Sequence, residues 1–149
     1  MFKTALIAAV ATATEFNFGG IGDFPAVTTP LSFVQPTGQA NFTLMTDQTK
    51  GSPDPPQTGG TENFTIAGLA THPLEVAELN FRCWLFGAKV YDEKFAPSTT
   101  QLQPGTVWTA TIPFDVPGVA PSTTYDIEIA GQDASGTDLF TVRTAFVFA

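Results

Sequence analysis

The chain has one cysteine, Cys83, and one histidine, His72. The first shortage rules out an internal disulfide, and the two together leave little for thiol, imidazole or zinc chemistry. A zinc site needs three or four ligands drawn from Cys, His and carboxylates, and one Cys with one His cannot lead such a cluster. His72 sits beside Pro73 in a loop, Cys83 falls inside an apolar strand-like run, and no Gly-x-Ser-x-Gly elbow occurs. No Ser- or Cys-based triad can be assembled from these parts. No glycine-rich phosphate loop follows a strand and opens a helix. Basic residues are scarce as well: six Lys and Arg against fourteen Asp and Glu leave a net charge of −8. Such a chain lacks the phosphate contacts on which nucleic-acid affinity rests, and an anionic membrane surface repels it at long range. Helical periodicity is missing too. The most helix-like stretch, 69–79, contains Pro73 and reads as a loop entering a strand. Charged residues make up 13% of the chain, against about a quarter in ordinary soluble domains, so Thr, Ser, Gln, Asn, Pro and Gly must supply the polar surface.

What is present is phenylalanine, fourteen of them in 149 residues. A chain of this length predicts one domain, able to bury roughly two-thirds of its unfolded surface without metals or disulfides. At its start, Lys3, the apolar stretch Ala5 to Ala11 and the triplet Ala11-Thr12-Ala13 predict a secretory signal over residues 1–13 with an A-x-A cleavage site. The apolar stretch is far short of the ~20 residues that span a bilayer, so stable membrane insertion is not expected. The folded domain is expected over 14–149; were the leader kept, 10–18 is rich enough in Thr and Phe to be an extra strand. Two Asn-x-Thr sequons, at Asn41 and Asn63, fit passage through a secretory route. Together these features predict a protein that is secreted or held in the lumen of an endomembrane compartment.

Along the chain the apolar period is two, with turn residues between runs. Phe33 and Val34 precede a turn at 36–38, 41–46 reads as a strand, and 50–60 reads as a long Pro/Gly loop that no sheet absorbs. Residues 62–68 set Phe64 and Ile66 on one face. Residues 76–88 set Leu79, Phe81, Cys83 and Leu85 against Asn80, Arg82, Trp84 and Phe86. After a tight turn at Gly87, 90–95 continues as a strand. Trp108, Ala110, Ile112 and Phe114 alternate with threonines, and 113–121 is a proline-rich crossover. Tyr125, Ile127 and Ile129 alternate with Asp126 and Glu128, 133–136 is a hairpin turn, and Val142, Thr144, Phe146 and Phe148 share the inner face of the last strand. Seven or eight short strands joined by such turns predict an all-β fold, an immunoglobulin-like sandwich of two antiparallel sheets. Cys83 is expected to be a small core residue.

Carboxylate pairs are present but unpromising. Asp92 and Glu93 point to opposite faces of a strand, and Asp126 with Glu128 falls on a face expected to meet solvent, where both would be solubilising. The Asp133 to Asp138 turn faintly resembles a calcium loop, yet Thr144 stands where an EF-hand needs its twelfth-position Glu. No catalytic residue, metal site or cofactor is expected.

The order of several segments resembles a known family. Thr58-Gly59-Gly60-Thr61-Glu62-Asn63-Phe64-Thr65-Ile66 is a turn-to-strand entry, and 76–95 with its turn at Gly87 is a long central hairpin. Gln103-Pro104-Gly105 leads into Trp108 to Pro113. Ala120-Pro121-Ser122-Thr123-Thr124-Tyr125 runs through a strand and the 133–136 turn into Phe146-Val147-Phe148. This order resembles the MD-2-related lipid-recognition (ML) domain family over residues 58–149 and more loosely over 14–57. The chain departs from that family in its cysteines, carrying none at 18–19, 96–102 or 140–141. The resemblance implies a non-catalytic protein that holds a lipid or sterol-like small molecule between its sheets. The walls would be Phe64, Ile66, Phe81, Leu85, Trp108, Ile112, Phe114, Tyr125, Ile127, Phe146 and Phe148. The other reading of these same rings is an ordinary filled core. That reading suits a structural or adhesive subunit of an extracellular assembly, a homo-oligomer included.

Overall fold

A computed structural model of the chain describes residues 24–148; the expected signal segment 1–13 and the strand suggested over 10–18 lie outside them. The described chain is all-β and contains no helix. Its strands are β1 (Phe33–Val34), β2 (Phe42–Leu44), β3 (Lys50–Ser52), β4 (Thr61–Ala70), β5 (Leu74–Glu75), β6 (Glu78–Leu85), β7 (Ala88–Phe95), β8 (Gln101–Leu102), β9 (Trp108–Asp115), β10 (Thr124–Gln132) and β11 (Asp138–Val147). One antiparallel sheet runs β1-β11-β10-β6-β7. The facing sheet is centred on β4, which pairs with β9 along one edge and with β2 and β3 along the other. β5 and β8 form a two-stranded ribbon at one end. The expected sandwich is therefore present, built from more and shorter strands than the seven or eight read from the sequence.

The long strands follow the alternation that predicted them. β9 buries Trp108, Ala110, Ile112 and Phe114 and exposes the residues between them. The turn from β6 to β7 has Phe86 and Gly87 both at positive φ, +52° and +78°, with Leu85 paired to Ala88. Two such residues in a two-residue loop match the right-handed twist of the flanking strands. Glycine takes that conformation without steric cost; a phenylalanine there is held by the pairing on either side.

Two expectations need correction. Residues 50–60 do not form an unbroken loop: β3 pairs Lys50, Gly51 and Ser52 with Thr65, Phe64 and Asn63, because the prolines begin only at Pro53. Asp126 and Glu128 do not meet solvent. Both are buried on the outer face of the five-stranded sheet. Glu128 accepts from the Arg82 guanidinium and from Arg143 Nε, each at 2.8 Å. Phe24 lies over Arg143 at 5.3 Å and packs on Trp84. A carboxylate loses its hydration on burial and is tolerated when two guanidinium partners replace it.

Candidate ligand-binding interior

All eleven residues expected to wall a slot are buried, and all belong to one continuous core between the sheets. The five-stranded sheet contributes Phe81 and Leu85 from β6, Tyr125 and Ile127 from β10, and Phe146 from β11, followed by Phe148. The facing sheet contributes Phe64 and Ile66 from β4 and Trp108, Ile112 and Phe114 from β9. Phe64 sits at the centre, its ring 5.6 Å from Phe81, 6.1 Å from Phe146 and 6.5 Å from both Phe33 and Phe114. Toward the β5/β8 ribbon, Phe42 stacks on Phe140 at 4.0 Å, and both rings meet Trp108 edge-on. Phe42 lies over Gly68 and Phe140 over Gly131, where any Cβ would collide with the ring. The interior is thus packed ring against ring, and a guest must part the rings to enter.

The two sides of the sandwich are closed differently. On one side the β1–β2 connection crosses between the sheets and is tied by glutamines. Gln35 donates to the Phe42 carbonyl at 2.6 Å and accepts from the Leu44 amide at 2.9 Å, while Gln39 accepts from the Thr141 amide at 2.8 Å. On the other side β7 pairs with β6 and β9 with β4, and among the described residues no strand pairing joins β7 to β9. There Tyr91 meets Phe114 with ring centroids 5.3 Å apart, and the Tyr91 hydroxyl donates to Glu93 at the rim. One edge is thus held by directional glutamine hydrogen bonds and the other by a ring contact, which can slide.

One inward residue was not expected. Glu62 follows the same alternation as Phe64 and Ile66, pairs across to Phe114, and is 0% exposed. Among the described residues neither carboxyl oxygen makes a hydrogen bond of good geometry. Burial pushes its pKa from 4.5 to about 8, the charge of Asp54 adds to the rise, and the backbone N–H of Ser52, placed toward the carboxyl, opposes it. Gly51 makes the room: a Cβ there would stand 2.5 Å from Glu62 Oε1 and 2.7 Å from Leu31 Cδ1. The signal for Glu62 was in the sequence, since period two places it inward, but a glutamate beside a Gly-rich turn reads as solvent-facing.

Other sites fall into place around the interior. Asn63 is exposed on the outer face of β4, while Asn41 is half-buried. His72 is exposed and shares a 3.2 Å hydrogen bond with Thr71. The Asp133 carboxylate accepts from the Ser135 and Thr137 amides and the Ser135 hydroxyl, which hold its pKa below the usual carboxylate value. Surface clefts of about 230 Å³ beside Trp108 and about 350 Å³ beside Arg143 fall below and at the lower end of the range of ligand pockets, about 300–1,000 Å³. Cys83 is fully buried within β6, and desolvation pushes its thiol pKa up. The native protein is expected to leave a thiol reagent such as Ellman's reagent unreacted, with one thiol titrating on unfolding in urea. Fast reaction without urea would place Cys83 at a surface.

No family model and no curated protein matches the sequence. Among solved structures, the fold is similar to that of a Niemann-Pick type C2 protein from Japanese carpenter ant, at 8% identity and a TM-score of 0.48, over 87% of this chain and 99% of that one. It is also similar to chicken MD-1 complexed with lipid IVa, at 13% identity and a TM-score of 0.46, over 83% of this chain and 96% of that one.

Proposed function

We propose that this chain is a secreted, non-catalytic lipid-binding or lipid-transfer protein that takes an apolar ligand between its two sheets through the β7/β9 seam. The observation that supports this reading is the convergence of eleven apolar side chains in one interior, with a ring contact between Tyr91 and Phe114 at its β7/β9 edge. Apolar walls are sufficient for the task. Each buried methylene is worth about 0.8 kcal/mol, so a chain of about twelve gains roughly 10 kcal/mol, comparable with the roughly 4–15 kcal/mol that association costs. Exposed Asn63 suits a glycan on the face turned away from the ligand. Titration with the fluorescent probe N-phenyl-1-naphthylamine tests the reading. Saturable one-to-one enhancement, reversed by long-chain lipids, is the expected result; a weak linear rise that lipids do not reverse rejects it.

The ring-to-ring packing favours a second reading, a structural or adhesive subunit with a permanently filled interior. Sedimentation as a large homo-assembly together with no probe binding would select it.

A further inference from the structure

Among the described residues Glu62 faces inward between the sheets, and unlike the inward Thr144, whose hydroxyl donates to the Ser32 carbonyl at 2.7 Å, it makes no well-formed hydrogen bond. A native fold rarely leaves a buried polar group unsatisfied, and each instance calls for a physical explanation. Here neither carboxyl oxygen makes a well-formed hydrogen bond, the Ser52 backbone N–H acting on the group only weakly against its burial, and the residue has no exposure. Its surroundings are the Phe114 strand position opposite, Leu31, and the Cβ-free surface of Gly51. Among the described residues no cation pairs with this carboxyl: Phe114 stands across from it in the strand pair, and the charge that acts on it is that of the acidic Asp54.

We propose that Glu62 is the head-group anchor of the ligand interior, hydrogen-bonding the hydroxyl of an uncharged, hydroxyl-bearing lipid whose apolar body lies among the Phe64 and Phe114 rings. The inference rests on the lipid-binding reading above and specifies its ligand class. A neutral carboxyl both donates and accepts, and so does an alcohol, so the two groups satisfy each other without burying a net charge. The raised pKa of Glu62 is in keeping with a carboxyl that stays neutral near pH 7. An anionic head group would meet Asp54 as well as Glu62. A cationic one would force Glu62 to ionise in an apolar corner.

The test is displacement of N-phenyl-1-naphthylamine from the full chain by 1-tetradecanol, tetradecane, tetradecanoate and tetradecylamine, for the wild type, Glu62→Gln and Glu62→Leu. The wild type is expected to prefer the alcohol to the alkane by about tenfold, the scale of one buried hydrogen bond. Glu62→Leu should bind both alike while keeping the alkane affinity. Glu62→Gln, whose amide also donates and accepts, should retain most of the preference and guards against a folding artefact in the leucine variant. An alcohol preference that survives in Glu62→Leu overturns the assignment, as does tightest binding of the amine or the carboxylate by the wild type. If none of the four displaces the probe, the lipid-binding reading itself fails and the anchor with it.

Discussion

Phe64→Ala is expected to cost about 4 kcal/mol of folding stability. The ring is 0% exposed and is in aromatic contact with Phe33, Phe81, Phe114 and Phe146, which come from both sheets. Its removal forfeits the transfer energy of the side chain, leaves a cavity that neighbouring rings cannot fill without leaving their rotamers, and breaks four aromatic pairs at once. Domains of this size are stable by only about 5–15 kcal/mol, so the loss is a large share of the total. Urea denaturation at fixed pH measures it, with a lower midpoint and an unchanged slope as the expected signature. A cost below about 1 kcal/mol would mean that the interior relaxes around the hole. The rings would then be more mobile than their close packing indicates, and entry of a guest would need less distortion.

The second large effect is on pH dependence. Glu62 has a folded-state pKa of about 8, above the 4.5 it takes in the unfolded chain. Between those values the folded protein holds a proton that the unfolded chain has released, so stability is full below about 4.5 and declines as pH rises toward 8. Each pH unit inside that window removes about 1.4 kcal/mol, and the loss by pH 7 is on the order of 3 kcal/mol. Asp126 behaves in the same sense over a lower range, since desolvation raises its pKa from 3.8 to about 6. The protein should therefore be most stable in mild acid, the reverse of a fold held by ion-paired carboxylates. Glu62→Gln removes the upper part of the slope. The variant should unfold at a higher urea concentration than the wild type at pH 7.5, and the gap should shrink toward pH 5. Equal midpoints at both pH values would show that Glu62 is hydrated and ionised in the folded state.

Much of the interior was legible because alternation reports burial wherever one face of a strand is buried and the other is wet. β9 is the clearest case, with Trp108, Ala110, Ile112 and Phe114 inward and threonines among the residues outward. The same rule failed on β10, where eight successive residues from Tyr125 to Gln132 are buried. Asp126 and Glu128 looked solvated because what shields them comes from neighbours in register: Trp84 on β6 and Ala145 on β11 opposite Asp126, and Arg82 on β6 and Arg143 on β11 opposite Glu128. Register between distant strands leaves no local mark in a sequence. β3 was missed for a related reason. Three residues that include a glycine carry no alternation of their own, and they become a strand only because β4 offers an edge. Glu62 was hidden by its residue type. Its position obeyed the pattern, and only the space beside Gly51 and the Phe114 strand opposite reveal that the carboxyl is buried.

The central claim, that the sheets hold a lipid between them, is tested most directly by native mass spectrometry of the protein gently purified from its source, followed by organic extraction and identification of what it carries. The account predicts a monomer with one stoichiometric, uncharged, hydroxyl-bearing lipid, lost when the chain is unfolded. A monomer that carries nothing, or a large homo-assembly free of lipid, would contradict it.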